Sequence, residues 1–504
     1  MRLRFAQMPL FLQLCILTGA MMVVPAVHAL TRQDFHEARS FFYGGLLTLI
    51  VSGFVAISLM GRRSNRTALR QLMALLAAFT VLPIIMAIPF AEALQTTTFL
   101  NAYFEMVSSF TTTGATLFAA DRLSDTLHLW RALVGWSGGL LIWVAAAAIL
   151  APLNLGGFEL TASAEPGRGE GRLLQMDGAE PATRMVRVVA LLLPIYAGLT
   201  AVLWVCLLVA GDPVIVALCH ALSTMSTSGI TPLADYANHS SGFAGEVLVF
   251  LFLLFALSRL TFSNDTVTGA GTDLRDDPEF RIGLLLVLVV PLMLFLRHWL
   301  GAYDVNEEAE ALAGLRALWG SVFTVLSFVS TTGFVSGGWE DAQNWSGLGT
   351  PGLILLGLAM VGGGVATTAG GVKLLRVFAL YLNGVREMQR LMHPSSVGNA
   401  TPMARRLRRQ GAVVAWVFFM LFALSLASTT VLLAGLGVEF DAALVIAVST
   451  LSTTGPLMAH ALSLPIDLTA LSDGAKIVAA AAMVLGRLET LAIVALFSPE
   501  LWRD

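Results

Sequence analysis

The sequence predicts an all-α polytopic membrane protein. It should hold four pseudo-repeated units of span, pore helix, filter turn and span around one pore, plus two N-terminal transmembrane helices. Three observations predict this. The chain contains ten long apolar runs. Four shorter apolar stretches lie among them, each ending in a glycine-containing turn. Those four turns share one Ser/Thr-Gly pattern.

Composition comes first because it sets the solvent. Of 504 residues, 56% are hydrophobic and 12% are charged, with a mean hydropathy of +0.78. A soluble domain carries roughly 25% charged residues, so this chain cannot coat a water-facing surface. The net charge of −3 supplies no basic field for nucleic acid. Cys15, Cys206 and Cys219 sit in apolar runs without metal-ligand or disulfide spacing, and read as packing residues.

A membrane span needs about 20 apolar residues. Runs of that kind lie at 9–30, 41–60, 71–93, 131–152, 186–210, 244–262, 282–300, 350–382, 412–436 and 475–497. The stretches at 101–113, 214–227, 317–331 and 441–453 are too short to cross but long enough to enter partway. The chain therefore divides into an N-terminal helix pair (1–70), repeat 1 (71–153), and a cytoplasmic loop with repeat 2 (154–263). Repeat 3 with an interrupted span (264–382) follows, then a basic cytoplasmic loop with repeat 4 (383–504). The opening MRLR and the following apolar run also fit a cleaved leader; the expectation is that the segment is retained.

Arginine marks the inner side. Arg62, Arg63, Arg66 and Arg70 follow the second run, and Arg168, Arg172, Arg184 and Arg187 lie in or beside the loop 153–187. Arg275 and Arg281 lie in the loop 263–281, and Arg386, Arg390, Arg405, Arg406, Arg408 and Arg409 precede the last pair. Intervening loops are acidic or neutral, as at Asp304, Glu307, Glu308 and Glu310. Even-numbered spans then run inward, and both termini lie inside. Basic stretches 153–187 and 383–411 offer docking surfaces, though topology alone also explains their charge.

The repeat carries the chemistry. Ser109–Gly114 (SFTTTG), Thr224–Gly229 (TMSTSG), Phe328–Gly333 (FVSTTG) and Thr450–Gly455 (TLSTTG) align, at a spacing that fits one span–half-helix–turn–span unit each. A dehydrated alkali cation needs oxygens in place of water, and backbone carbonyls aimed at an axis supply them. Glycine permits the backbone that this demands, hydroxyls add oxygens and ties, and each short helix brings its partially negative end toward the ion. Ser/Thr/Gly runs also serve as helix-packing patches, but four in register are hard to explain so. Enzymes would show paired carboxylates, a metal cluster or a nucleophile beside a base. The eight histidines are scattered and HExxH does not occur; Gly135-Trp136-Ser137-Gly138-Gly139 matches GxSxG but lies inside an apolar run, without the strand-to-turn context a nucleophile needs.

Three further features stand out. GGGVATTAGG at 362–371 interrupts the run 350–382 and predicts non-helical backbone at membrane depth, which protein or a wet cavity must surround. It is not a phosphate cradle, since no strand precedes it and Lys373 is misplaced for a P-loop. Arg487 lies inside the last run and needs a partner or a wet cavity. Lys373 reads either as a gate residue or as a snorkelling helix end. Glu105 and His220 read as supports of filter backbone. Asp121, Asp235, Glu340 and Asp341 follow filter turns and either draw cations to the mouth or are solvated loop residues.

These segments resemble the Trk/Ktr/HKT superfamily of potassium transporters, above all its bacterial TrkH type. SSFTTTGAT at 108–116, ALCHALSTMSTSG at 217–229 and SFVSTTGF at 327–334 look like its first three filters. MVGGGVATTAGGVKLLRV at 360–377 and GRLETLAIVALFSPELW at 486–502 look like segments of its third and fourth repeats. The resemblance implies potassium uptake through a multi-pass protein of the bacterial inner membrane, with no covalent cofactor and K+ as the transported ion. It implies filter carbonyls from Thr112, Thr113, Gly114, Thr227, Ser228, Gly229, Thr331, Thr332, Gly333, Thr453, Thr454 and Gly455. Glycine at Gly114, Gly229, Gly333 and Gly455 goes with potassium selectivity. The fourth turn, Ser452-Thr453-Thr454-Gly455, lacks the Asn-rich form common in that repeat, which keeps sodium or mixed transport open as an alternative. A gate is implied at Gly362, Gly363, Gly364, Thr367, Thr368, Gly370, Gly371, Lys373 and Arg487. The implied partners are a second copy of the chain, forming a homodimer, and a cytoplasmic nucleotide-binding regulatory subunit of the TrkA type.

Overall fold

The structure is a computed structural model, and it describes residues 8–59, 68–151, 181–258, 277–301, 311–348, 351–392 and 412–488. Most of the basic loops, Arg62, Arg63, Arg66, Arg168, Arg172, Arg275 and Arg405–Arg409 among them, lie outside these residues. So do the acidic residues at 304–310 and the last run beyond 488.

Among the described residues every long element is a helix, and the expected all-α polytopic fold is borne out. Seven helices among the described residues are long and apolar enough to cross a membrane: Leu10–Thr31, Phe35–Ser58, Arg70–Leu94, Asp125–Leu150, Arg184–Ala210, Pro278–Arg297 and Ala412–Gly435. The run 244–262 appears as Gly242–Leu253 with a tighter turn to Leu257, and the run 475–497 as Asp473–Leu488 within the described residues. The run 350–382 is split into Gly352–Val361 and Leu374–Met392, with the glycine-rich segment between them.

Local chemistry sets the helix starts. Asp34 accepts the Glu37 amide (3.1 Å), and Ser124 accepts the Leu127 amide (3.2 Å), each satisfying a donor that has no partner inside its helix. Four short helices enter the protein between spans: Phe99–Phe110, Val214–Ser226, Ala311–Val329 and Phe440–Ser452. The third is longer than its apolar stretch predicts. It starts at Ala311, because Ala, Leu and Arg extend a helix readily ahead of the apolar face.

Burial separates inner from outer helices. In Asp125–Leu150 72% of the most apolar stretch is buried, against 22% in Phe35–Ser58. The first therefore packs around the axis, and the second presents Phe42, Leu47 and Phe54 outward. Phe104, Phe110, Trp130, Phe323 and Phe328 are fully buried around the short helices. Gly138 makes one close approach possible: a Cβ there would sit 1.9 Å from the Phe110 carbonyl oxygen. Helix Asp125–Leu150 therefore presses directly on the end of the first short helix.

Candidate functional site

The four Ser/Thr-Gly turns meet at the C-terminal ends of the four short helices, in chain order around a ring. A Cβ on Gly114 would stand 1.9 Å from the Ser228 oxygen, and one on Gly229 would stand 2.1 Å from the Thr332 oxygen. Gly333 abuts Pro456, and the Gly455 amide donates to the Thr113 oxygen at 2.6 Å. Those contacts run from the first turn to the second, third, fourth and back to the first.

Each turn is wired alike. The residue two before the glycine is a threonine in the left-handed region: Thr112 (φ 55°), Thr227 (52°), Thr331 (59°) and Thr453 (55°). A serine six before the glycine takes, on its carbonyl, the amide of the residue just before the glycine. The pairs are Ser108–Thr113 (2.9 Å), Ser223–Ser228 (3.0 Å), Ser327–Thr332 (2.9 Å) and Ser449–Thr454 (2.8 Å). Hydroxyls then pair two residues apart: Thr111–Thr113, Ser226–Ser228, Ser330–Thr332 and Ser452–Thr454, at 2.8 to 3.3 Å. The hydroxyl content of the motif therefore spends itself mainly on holding backbone. Sequence reasoning missed the four serines, although each stands at the same offset from its glycine.

The fourth turn departs from the other three. Gly114, Gly229 and Gly333 have φ of 75°, 66° and 81°, whereas Gly455 has no positive φ. It precedes Pro456, which disfavours helical backbone before it and leads at once into Leu457–His460. The Thr454 oxygen takes Ser449 Oγ (2.6 Å) and the Leu457 amide (3.2 Å), and the Gly455 oxygen takes the Met458 amide (3.0 Å). With Thr113, these are the candidate carbonyls bonded within the chain. The other nine accept no hydrogen bond from the described residues. Thr112 Oγ1 and Thr453 Oγ1 are buried with no hydrogen-bond partner among the described residues, an arrangement that a bound ion or water explains.

Outside the ring lies a cavity of about 440 Å³ lined by Asp121, Arg131, Asp235, Phe334, His460 and the four glycines, among others. Asp235 pairs with His460 Nε2 at 3.5 Å. Glu340 and Asp341 lie on the helix Trp339–Ser346 and do not line this cavity. Glu105 forms a buried ion pair with Arg131 (2.6 Å) and accepts the Leu117 amide (3.1 Å), bracing the strand beyond the first turn. His220 bonds Thr231 (2.9 Å) and packs on Tyr236. Glu246, unremarked in the sequence, accepts Trp319 Nε1 (2.6 Å), Ser336 Oγ (2.8 Å) and the Gly337 amide (2.8 Å) beyond the third turn.

On the other side of the ring, the segment 362–373 forms a loop. Its neck is closed by the Val372, Lys373 and Leu374 amides donating to Met360, Val361 and Gly363 oxygens, each at 2.9 Å. Its tip touches the filter base. The Gly370 amide donates to Thr331 Oγ1 (2.8 Å), and Thr368 Oγ1 meets Thr227 Oγ1 (3.2 Å). Arg487 Nη1 donates to the Thr368 oxygen (2.7 Å), and Lys373 Nζ to the Ala369 oxygen (2.7 Å). Lys373 is buried, so its ammonium serves the loop rather than snorkelling. Arg376, another buried cation that sequence reasoning passed over, stacks 3.7 Å over the Phe418 ring. The cavities beside the loop are about 10 and 20 Å³, room for about one water each.

Comparison with known proteins places this geometry in a family. A family model described as TrkH, cation transport protein, matches residues 37–238 and 280–504. The chain is 29% identical to the Trk system potassium uptake protein TrkH of Salmonella typhimurium, over 97% of this chain and 98% of that one. It is 31% identical to the protein of that name from Halomonas elongata, over 96% and 90%. The crystal structure of the potassium transporter TrkH from Vibrio parahaemolyticus superposes with a TM-score of 0.80, at 26% identity, over 99% of both chains. The chain belongs to the TrkH family of cation transport proteins.

Proposed function

We propose that this protein takes up potassium across a bacterial inner membrane through the ring of four turns, and that the loop 362–371 closes the pore beneath them. The observation that carries the reading is the fourfold wiring: four left-handed threonines and four serine carbonyl ties hold four turns around one axis. Carbonyls left without donors replace the water of a dehydrated K+, and the hydroxyls of Thr112 and Thr453 add oxygens at the inner end. The wide outer cavity and the water-sized inner ones support closure by the loop, with Thr368 and Gly370 as the plug and Arg487 and Lys373 as its ties. The potassium uptake named for the relatives agrees.

A second reading, sodium or mixed transport, is favoured by one observation: the carbonyls of Thr113, Thr454 and Gly455 are hydrogen-bonded within the chain. Fewer free oxygens give a weaker field for selecting K+. The proposal extends to a homodimer and a cytoplasmic regulatory subunit of the TrkA type, docking on 153–187 and 383–411. Expression in cells lacking potassium uptake, with that subunit supplied, tests the function. Growth at low potassium is expected; no rescue despite insertion in the membrane overturns it.

A further inference from the structure

We propose that Glu279 is the latch that holds the loop in its closing position. This rests on the reading of the loop as the pore closure. Glu279 stands in the first turn of helix Pro278–Gly301, and it is buried. Its Oε1 accepts the Val365 amide at 2.9 Å. The preceding amide, Gly364, donates to the Ala256 oxygen at 2.9 Å. Two consecutive N–H groups at the descending arm of the loop are thus held from outside it, one of them by a carboxylate.

The backbone that carries the carboxylate is itself tied. Asp277 accepts the Glu279 amide at 3.1 Å and is also hydrogen-bonded by the Ser258 hydroxyl. The start of this span is therefore tied to the end of the helix before it. The tip of the loop is held by neutral hydroxyls and by the cations Arg487 and Lys373; Glu279 adds an anionic acceptor at the arm, a stronger bond than a neutral one. The loop cannot leave the axis while Val365 is bonded to Glu279, and a buried N–H that loses its partner is penalised. Glu279 thus biases the closed state without touching the ion, as a positioning residue.

The test is rubidium uptake by the purified full-length protein in liposomes. Glu279→Ala is expected to raise flux roughly tenfold, the factor one charge-assisted hydrogen bond carries, with the potassium-to-sodium ratio unchanged. Glu279→Gln, whose neutral amide oxygen still accepts from Val365 but more weakly, should fall between wild type and Glu279→Ala. A merely structural residue would lower flux on truncation, so unchanged or reduced flux in Glu279→Ala overturns the proposal. If that variant does not yield monodisperse protein, Glu279→Asp decides: its shortened carboxylate should raise flux, and wild-type flux refutes the latch. Deleting Thr367–Gly370 separates the two ideas. Raised flux there without an effect of Glu279→Ala sinks the latch alone; unchanged flux there sinks the closure reading itself.

Discussion

Gly114→Ser probes the ring at its tightest seam. The new Cβ would lie 1.9 Å from the Ser228 oxygen, about 1.5 Å short of ordinary contact at 3.4 Å. The obstacle is backbone of the neighbouring turn, so a rotamer change cannot relieve it. Either the Ser228 carbonyl swings away from the axis or the first turn moves outward. In addition, a non-glycine residue at φ 75° costs about 1–2 kcal/mol. A carbonyl displaced by more than an ångström no longer matches the K+ shell, so the preference for K+ over Na+ should fall at least about tenfold, which is about 1.4 kcal/mol. Competing rubidium and sodium uptake in liposomes measures it. Gly437→Ala is the control: its φ is 91° and nothing lies within 4 Å of the added Cβ, so it carries strain without collision. Gly437→Ala should lose about 1–2 kcal/mol of stability and Gly114→Ser more, but only Gly114→Ser should lose selectivity. Wild-type selectivity in Gly114→Ser refutes the filter assignment, and lost selectivity in Gly437→Ala refutes the steric argument.

Three other outcomes are expected. Glu105→Ala strands the buried Arg131 guanidinium and should cost about 3–5 kcal/mol, read as a fall in detergent melting temperature; the double substitution to Leu at both positions should cost less. Arg487→Ala removes the tie to the Thr368 oxygen and should raise rubidium flux severalfold, with Arg487→Lys between it and wild type. Burial holds the His460 imidazole below its ordinary pKa of 6.5, against the opposing pull of Asp235. The ring is then neutral at pH 7 and gains its proton only as external pH falls through that lowered value. The added positive charge faces the cavity that Asp121, Asp235 and Arg131 line, so uptake should drop on external acidification and the drop should vanish in His460→Gln. An unaltered pH profile in that variant removes His460 from the account.

Much of the fold was legible because membranes simplify the code. Long apolar runs must be helices, so the spans and the four short helices could be placed within a few residues. The break at 362–371 was legible because glycine in such number cannot stay helical. What escaped was whatever depends on contact between repeats. Ser108, Ser223, Ser327 and Ser449 look like ordinary helix residues until their carbonyls are seen to cap the turns. Glu246 and Glu279 carry no pattern that marks them in the sequence, yet each accepts a backbone amide from another segment. The fourth turn kept its glycine, but Pro456 decided its path, and a motif that ends at glycine omits the residue that mattered.

The four left-handed threonines have a consequence for assembly. Each holds a conformation that costs an L residue about 1–2 kcal/mol, so the ring stores roughly 4–8 kcal/mol that an isolated repeat has no means to offset. Each turn borrows its support from the next, through the contacts at Gly114, Gly229, Gly333 and Gly455. A nascent chain that has inserted only three repeats therefore has little reason to shape any of its turns. The filter becomes a property of the finished circle, set when the last repeat docks against the first.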